Sequence, residues 1–302
     1  MNILIIGGSG FIGSALIPRL LEEGHAINVL SRRPHAVRLP PSVAVHPWDG
    51  HSGAAWADLL AGMDAVINLA GANLGVGRWT QQRKMEFLAS RVTSGQAVVE
   101  AFALAPRKPR LLMQASAIGY YGPCGDEVIT ESSPPGRDFL AQLCVQWEAS
   151  TQPVEAWGVR RVLLRTGIVL GRDSLVLKRL LLPFRLGVGG PLGSGRQWMP
   201  WIHLADQIGA MLFLLHNDQA VGPFNLTAPN PVRNAVFGRI LARVLRRPYW
   251  LPVPAFALRL VLGEMSTLVL DGQRALPQRL LDLGYRFAFE DLEAALRDLL
   301  TD

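Results

Sequence analysis

The sequence predicts an α/β protein: a doubly wound parallel sheet with helices on both faces and a smaller, mostly helical C-terminal lobe. Three observations predict it. Short apolar runs alternate with amphipathic stretches over the first two-thirds of the chain. Those runs lack the polar alternation of half-exposed strands, as expected for strands covered on both faces. After residue 228 the chain turns helical and proline-punctuated. Of its 302 residues, 49% are hydrophobic, enough for a substantial core.

Taken in order, Ile3–Ile6 reads as the first strand, Phe11–Glu23 as a helix, and Ala26–Leu30 as the second strand. A third strand ends at Trp48-Asp49, followed by helical Trp56–Leu60. Ala65–Leu69, Leu111–Gln114 and Val162–Thr166 continue the sheet, separated by helical Gln81–Ala103 and Phe139–Trp157. Such alternation implies right-handed crossovers. Past Gly171 come a glycine-rich loop, Gly187–Arg196, a helical stretch, Asp206–Leu215, and a returning strand at Phe224-Asn225-Leu226. The sheet domain is expected to use residues 1–171 and about 204–228, and the lobe residues 172–203 and 229–302. Leu251–Leu270 reads as a core helix or a partner-facing apolar one.

Composition excludes several classes. Lys+Arg is 30 against Asp+Glu 24, a formal charge of +6, yet only Lys84, Lys108 and Lys178 are lysines and the arginines are scattered. Without a dense basic stripe or a recognisable module, no nucleic-acid partner is expected. Cys124 and Cys144 fit no metal-ligand spacing, so no metal centre is expected. Met1–Ile6 runs straight into a glycine-rich turn without a basic leader. Pro252, Pro254, Arg259 and Glu264 interrupt the most apolar late stretch, which rules it out as a membrane span. A cytoplasmic protein is the expectation.

Gly7-Gly8-Ser9-Gly10-Phe11-Ile12-Gly13 joins the first strand to the first helix. In that context the glycines permit a tight turn and close approach of backbone to a pyrophosphate, which the helix N-terminus attracts. This makes the fold Rossmann-type, with Gly7, Ser9, Gly10, Phe11, Ile12 and Gly13 as cofactor residues. The second strand ends Ser31-Arg32-Arg33, where an NAD site usually has an acid for the ribose hydroxyls. A hydroxyl and a guanidinium suit a 2′-phosphate instead, so NADP(H) is the expected cofactor. Leu69 and Ala70, in Asn68-Leu69-Ala70-Gly71, let the cofactor lie close to backbone. Asp49 fits either an adenine contact or an N-cap.

These motifs occur in order with Ser116-Ala117-Ile118-Gly119-Tyr120-Tyr121-Gly122, Arg165-Thr166-Gly167-Ile168-Val169-Leu170-Gly171, Pro200-Trp201-Ile202-His203 and Leu276-Pro277-Gln278-Arg279. Together they resemble the epimerase-family branch of atypical, extended short-chain dehydrogenases/reductases, related to nucleotide-sugar epimerases, over essentially the whole chain. The resemblance implies three further cofactor residues: Glu86 and Arg91 on the helix before the fifth strand, and Glu148 on the helix after it. It also implies an oxidoreductase or epimerase-like activity on a carbonyl-containing or nucleotide-sugar metabolite. Some relatives of the branch look like cell-division or plastid-division factors, which leaves a non-catalytic, NADP(H)-binding interaction protein as the alternative.

Most members of that superfamily use a Tyr-x-x-x-Lys pair on the helix after the fifth strand. Here Tyr120, Tyr121, Tyr249 and Tyr285 are followed four residues on by Cys124, Gly125, Val253 and Phe289, so the pair is missing. The position of the active serine is Ala117, with Ser116 one residue off. Tyr121 as proton donor and Ser116 as hydrogen-bond donor remain the catalytic candidates, with His203 behind them. Gly187–Arg196, near Trp198 and Trp201, reads as a substrate loop or an ordered surface loop.

Overall fold

The computed structural model describes residues 1–301. Seven strands form one parallel sheet: β1 (Asn2–Ile6), β2 (Ala26–Ser31), β3 (Ala44–Pro47), β4 (Ala65–Asn68), β5 (Leu111–Ala117), β6 (Arg160–Thr166) and β7 (Gly222–Leu226), in the order β7-β6-β5-β4-β1-β2-β3. The α-helices up to residue 262 are α1 (Phe11–Glu22), α2 (Gln81–Leu104), α3 (Phe139–Ala149), α4 (Leu175–Arg185), α5 (Leu204–His216), α6 (Asn234–Leu245) and α7 (Ala255–Leu262), and Thr267–Leu270, Gln278–Asp282 and Leu292–Leu300 follow. The strand order reverses at β1, and ligands of such sheets lie in the crevice beyond the strands' carboxyl ends near that reversal.

The apolar runs are strands because both faces are covered. In β1, Ile3 and Ile5 enter a core with Leu16, Ile17 and Leu20 of α1 and Met211 and Leu215 of α5. Leu4 and Ile6 point the other way, onto Val98 and Phe102 of α2 and onto Trp56. Each fully buried side chain of this kind stabilises the fold by about 1.5–3 kcal/mol. Phe139–Trp157 is not one helix. α3 stops at Ala149 and a separate 3₁₀ segment, Gln152–Trp157, follows. Pro153 has no N–H to give to a continuing helix.

The lobe has a core of its own, in which Leu177 and Leu181 of α4, Phe237 and Leu241 of α6, and Leu296 and Leu299 of the terminal helix Leu292–Leu300 meet. Short ladders stitch it to the sheet domain: Arg274-Ala275 lies parallel to Val128-Ile129, and Trp201–His203 lies parallel to Ile168–Leu170. α7 buries none of its residues and leaves Phe256 72% and Leu260 73% exposed, so it is not a core helix. The Arg78 side chain holds its end by donating to the carbonyls of Leu260 and Val261. Among the described residues no helix is long and apolar enough to cross a membrane.

Candidate functional site

The carboxyl ends of β1, β2 and β4 carry one half of the site. Gly7 turns with φ +81°, and a Cβ there would stand 2.9 Å from the carbonyl carbon of Leu69. A Cβ on Gly13 would stand 2.7 Å from the Gly7 carbonyl oxygen, so both positions need the bare backbone. The turn thus rests directly on Leu69-Ala70. Ser9 and Gly10 face solvent, while Phe11 and Ile12 are half-buried in the first turn of α1. That turn holds no acidic side chain and its N-cap, Gly10, offers no capping group. Its first amides therefore point outward without a side-chain partner, the arrangement a diphosphate needs.

Ser31 ends β2, where its hydroxyl accepts from the Arg33 amide at 3.1 Å. Arg32 is exposed, its stem lies over Gly50, and it forms no ion pair among the described residues. Asp49 is a turn cap: its carboxylate accepts from the amides of His51 (2.7 Å) and Ser52 (2.9 Å), which lower its pKa. Trp48 is buried edge-on against Trp56.

The ends of β5, β6 and β7 are built differently. Glu148, on α3, takes both Nε (2.8 Å) and Nη2 (2.9 Å) of Arg165 and also accepts from the Ser116 hydroxyl at 2.6 Å. Arg165 in turn donates to the Tyr121 hydroxyl (3.0 Å), which donates to Asn225 Oδ1 (2.7 Å). All five side chains are buried. Burial alone would lower the Arg165 pKa, but the hydrogen bonds and charge of Glu148 outweigh it and raise it. Tyr121 is 2% exposed, and burial pushes its phenol up to about 12 against the opposing charge of Arg165. The phenol is hydrogen-bonded on both sides, to Arg165 and to Asn225, and these contacts tie β5, β6 and β7 together at this end of the sheet. Ser116 donates to Glu148, and Glu148 is held by Arg165, so the polar groups of this network satisfy one another.

Beside it opens a cleft of about 190 Å³, walled by Arg91, Ala117, Cys144, Trp147 and Trp198, with Asp138 and Asp271 also lining it. Ala117 faces the cleft while its neighbour Ser116 turns to Glu148, as the pleat of a strand requires. Cys144 and Glu148 have the four-residue spacing of the missing Tyr-x-x-x-Lys pair, on the same helix. Burial, then the charge of Glu148, pushes the Cys144 thiol up to about 12. Asp271 is raised by burial and then by Asp138. Neither Cys144 nor Asp271 was singled out by sequence reasoning; the i, i+4 register on α3 was the signal available for Cys144.

Arg91 is 7% exposed and lies on Trp147, its guanidinium 4.8 Å from the ring centroid. It donates to the carbonyls of Phe87 (3.1 Å) and Ala72 (3.0 Å), yet it has no carboxylate partner among the described residues. Burial pulls its pKa down to about 10. Glu86 stands apart, exposed and paired with Arg83 at 3.1 Å. His203 lies elsewhere too. Its Nδ1 accepts from the Ala205 amide at the start of α5, its Nε2 is 3.2 Å from Asp298, and burial lowers its pKa. The glycine-rich loop packs on the segment after α6, with the Leu251 amide on Gly189 O (3.1 Å) and the Gly193 amide on Val253 O (2.8 Å).

A turn that leaves room for a diphosphate, at the strand reversal of a seven-stranded parallel sheet, agrees with the comparisons. The model of the NAD dependent epimerase/dehydratase family matches residues 3–227, and a domain of unknown function, DUF1731, matches residues 253–299. The chain belongs to that epimerase/dehydratase family. It is 41% identical to the epimerase family protein YfhF of Bacillus subtilis, over 100% of this chain and 99% of the relative. The human epimerase family protein SDR39U1, solved with NADPH, is 34% identical at a TM-score of 0.86 and covers 99% of both chains. A nucleoside-diphosphate sugar epimerase of Corynebacterium glutamicum is 30% identical at a TM-score of 0.79, with 99% of this chain matching 58% of that one. The chain is thus an NAD(P)-binding, epimerase-like protein.

Proposed function

We propose that the protein binds NADP(H) along the carboxyl edge of the sheet and is an oxidoreductase or epimerase-like enzyme acting on a carbonyl-containing metabolite in the adjoining cleft. The observation that carries this reading is Arg91, a buried guanidinium without a counter-charge in the wall of that cleft. An anionic ligand supplies the missing charge. The β1–α1 turn would hold the diphosphate, Ser31 and Arg32 the 2′-phosphate, and Leu69-Ala70 the passage between them. Arg91 would meet a phosphate or ribose oxygen. Support for the phosphorylated cofactor is the absence of an acid at the end of β2 and the NADPH found in the human relative.

When bound, the nicotinamide supplies or accepts a hydride. This chain's residues divide the remaining work. The Cys144 thiol stays protonated and does not replace the phenol as a base. Asp271 is a cleft carboxyl whose pKa is raised by burial and then by the charge of Asp138. A second reading, a non-catalytic NADP(H)-binding interaction protein, is favoured by the internally satisfied Glu148–Arg165–Tyr121 network. The test is the near-ultraviolet absorbance of NADPH followed over a panel of small aldehydes and ketones, alongside NADPH affinity. Turnover that falls in Asp271→Asn while NADPH still binds supports the enzyme. Tight NADPH binding with no turnover on any member supports the interaction protein.

A further inference from the structure

At the amino-terminal edge of the sheet, opposite the cofactor crevice, α1 ends and turns into β2 beside the last residue of α5. Three side chains converge there. Glu23 Oε2 lies 3.2 Å from His25 Nε2 and 2.8 Å from His216 Nε2, so two imidazoles address one carboxylate oxygen. One ligand atom from each of the three lies within 4.8 Å of the other two, and the imidazole ring centroids are 5.5 Å apart. The His25 side chain is 8% exposed and the His216 side chain 48%, so the group is anchored on one side and open to solvent on the other.

We propose that Glu23, His25 and His216 bind one transition-metal dication of the zinc type. Ligand bonds of 2.0–2.1 Å in a tetrahedron place donor atoms ~3.3 Å apart. The two contacts at Glu23, 3.2 and 2.8 Å, lie within a few tenths of an ångström of that spacing, and the two imidazole nitrogens, within 4.8 Å of each other, swing together to close the tetrahedron. Two imidazole nitrogens and one carboxylate oxygen select zinc, cobalt, nickel or copper over the all-oxygen demands of calcium and magnesium. Three protein ligands leave a fourth position for water on the exposed side. In the metal-free state each Nε2 carries a proton and donates to Glu23. In the metal-bound state that proton sits on Nδ1 of each ring. The ion would clamp the α1–β2 turn to the end of α5 without touching the cofactor crevice.

The experiment uses the untagged full chain, stripped with a chelator and then titrated with Zn²⁺ by calorimetry, with Co²⁺ as the spectroscopic probe. One equivalent of Zn²⁺ is expected to bind, Co²⁺ is expected to give the intense visible band of four-coordinate cobalt, and Mg²⁺ is expected not to compete. His216→Ala, at an exposed position, should weaken Zn²⁺ binding on the order of a hundredfold, and Glu23→Gln should weaken it as well, both with NADPH affinity unchanged. Zinc should raise the melting temperature of the parent chain and not that of His216→Ala. Absence of stoichiometric binding, equal Zn²⁺ affinity in His216→Ala, or a purely octahedral cobalt spectrum overturns the proposal.

Discussion

Arg91, on α2, and Arg165, at the end of β6, are each less than a tenth exposed, and each lies against an aromatic ring. Arg165 has a bidentate carboxylate in Glu148 and a raised pKa; Arg91 has only two backbone carbonyls and a lowered one. Burial desolvates both, so what separates them is the counter-charge. A guanidinium that has found its anion within the chain holds the fold together, and one that has not is available to an anion from outside. The same division runs along the sheet edge. At β1, β2 and β4 the site is bare backbone and unpaired charge, whereas at β5, β6 and β7 the polar side chains satisfy one another.

The contrast breaks most visibly at Glu148. Glu148→Gln leaves Arg165 buried without its charge partner and should cost about 3–5 kcal/mol in urea unfolding. Arg91→Met replaces a buried, uncompensated charge with an apolar side chain of similar length, so stability of the ligand-free chain should hold or rise. The same change should lower NADPH affinity about 10- to 100-fold by fluorescence titration, the worth of charge-assisted hydrogen bonds of about 1.5–3 kcal/mol. If Arg91→Met unfolds the chain as Glu148→Gln does, the two arginines are of one kind and the distinction fails.

Tyr121→Phe removes one partner each from Arg165 and Asn225 and should cost about 1–2 kcal/mol with NADPH affinity unchanged. The pH dependence sharpens it. The phenol is pushed up to about 12 in the folded chain, above the value of about 10 for an unfolded tyrosine. The folded state therefore holds its proton where the unfolded state has lost it. Stability from this group is complete below about pH 10 and lost as pH rises toward about 12. Unfolding midpoints of the parent and Tyr121→Phe should converge across that window, and parallel curves would remove the phenol from the network.

Much of the fold was legible because its signals are local. Ile3–Ile6 is apolar at every position, and the Gly7–Gly13 spacing sits between a strand and a helix, so sheet and diphosphate turn follow from neighbours in sequence. The network at the other end was not, since Ser116, Glu148, Arg165 and Asn225 meet only after two crossovers. Glu148 was selected through the resemblance as a cofactor residue, and nothing in the spacing of α3 announced that an arginine 17 residues later would take it. The two faces of α2 were equally opaque. Glu86 and Arg91 both look like solvated charges in sequence, and only packing turns Arg91 inward onto Trp147 while leaving Glu86 with Arg83. For α7, seven apolar residues around Arg259 read the same whether a core or solvent lies opposite, and here solvent does.

Arg32 offers the most direct measurement of the account as a whole, through the dissociation constants of NADPH and NADH for the parent chain and for Arg32→Ala. Loss of a charge-assisted contact to the 2′-phosphate should weaken NADPH about tenfold, roughly 1.4 kcal/mol, and leave NADH where it was. Equal weakening of the two cofactors, or a parent chain that binds NADH as tightly as NADPH, would contradict it.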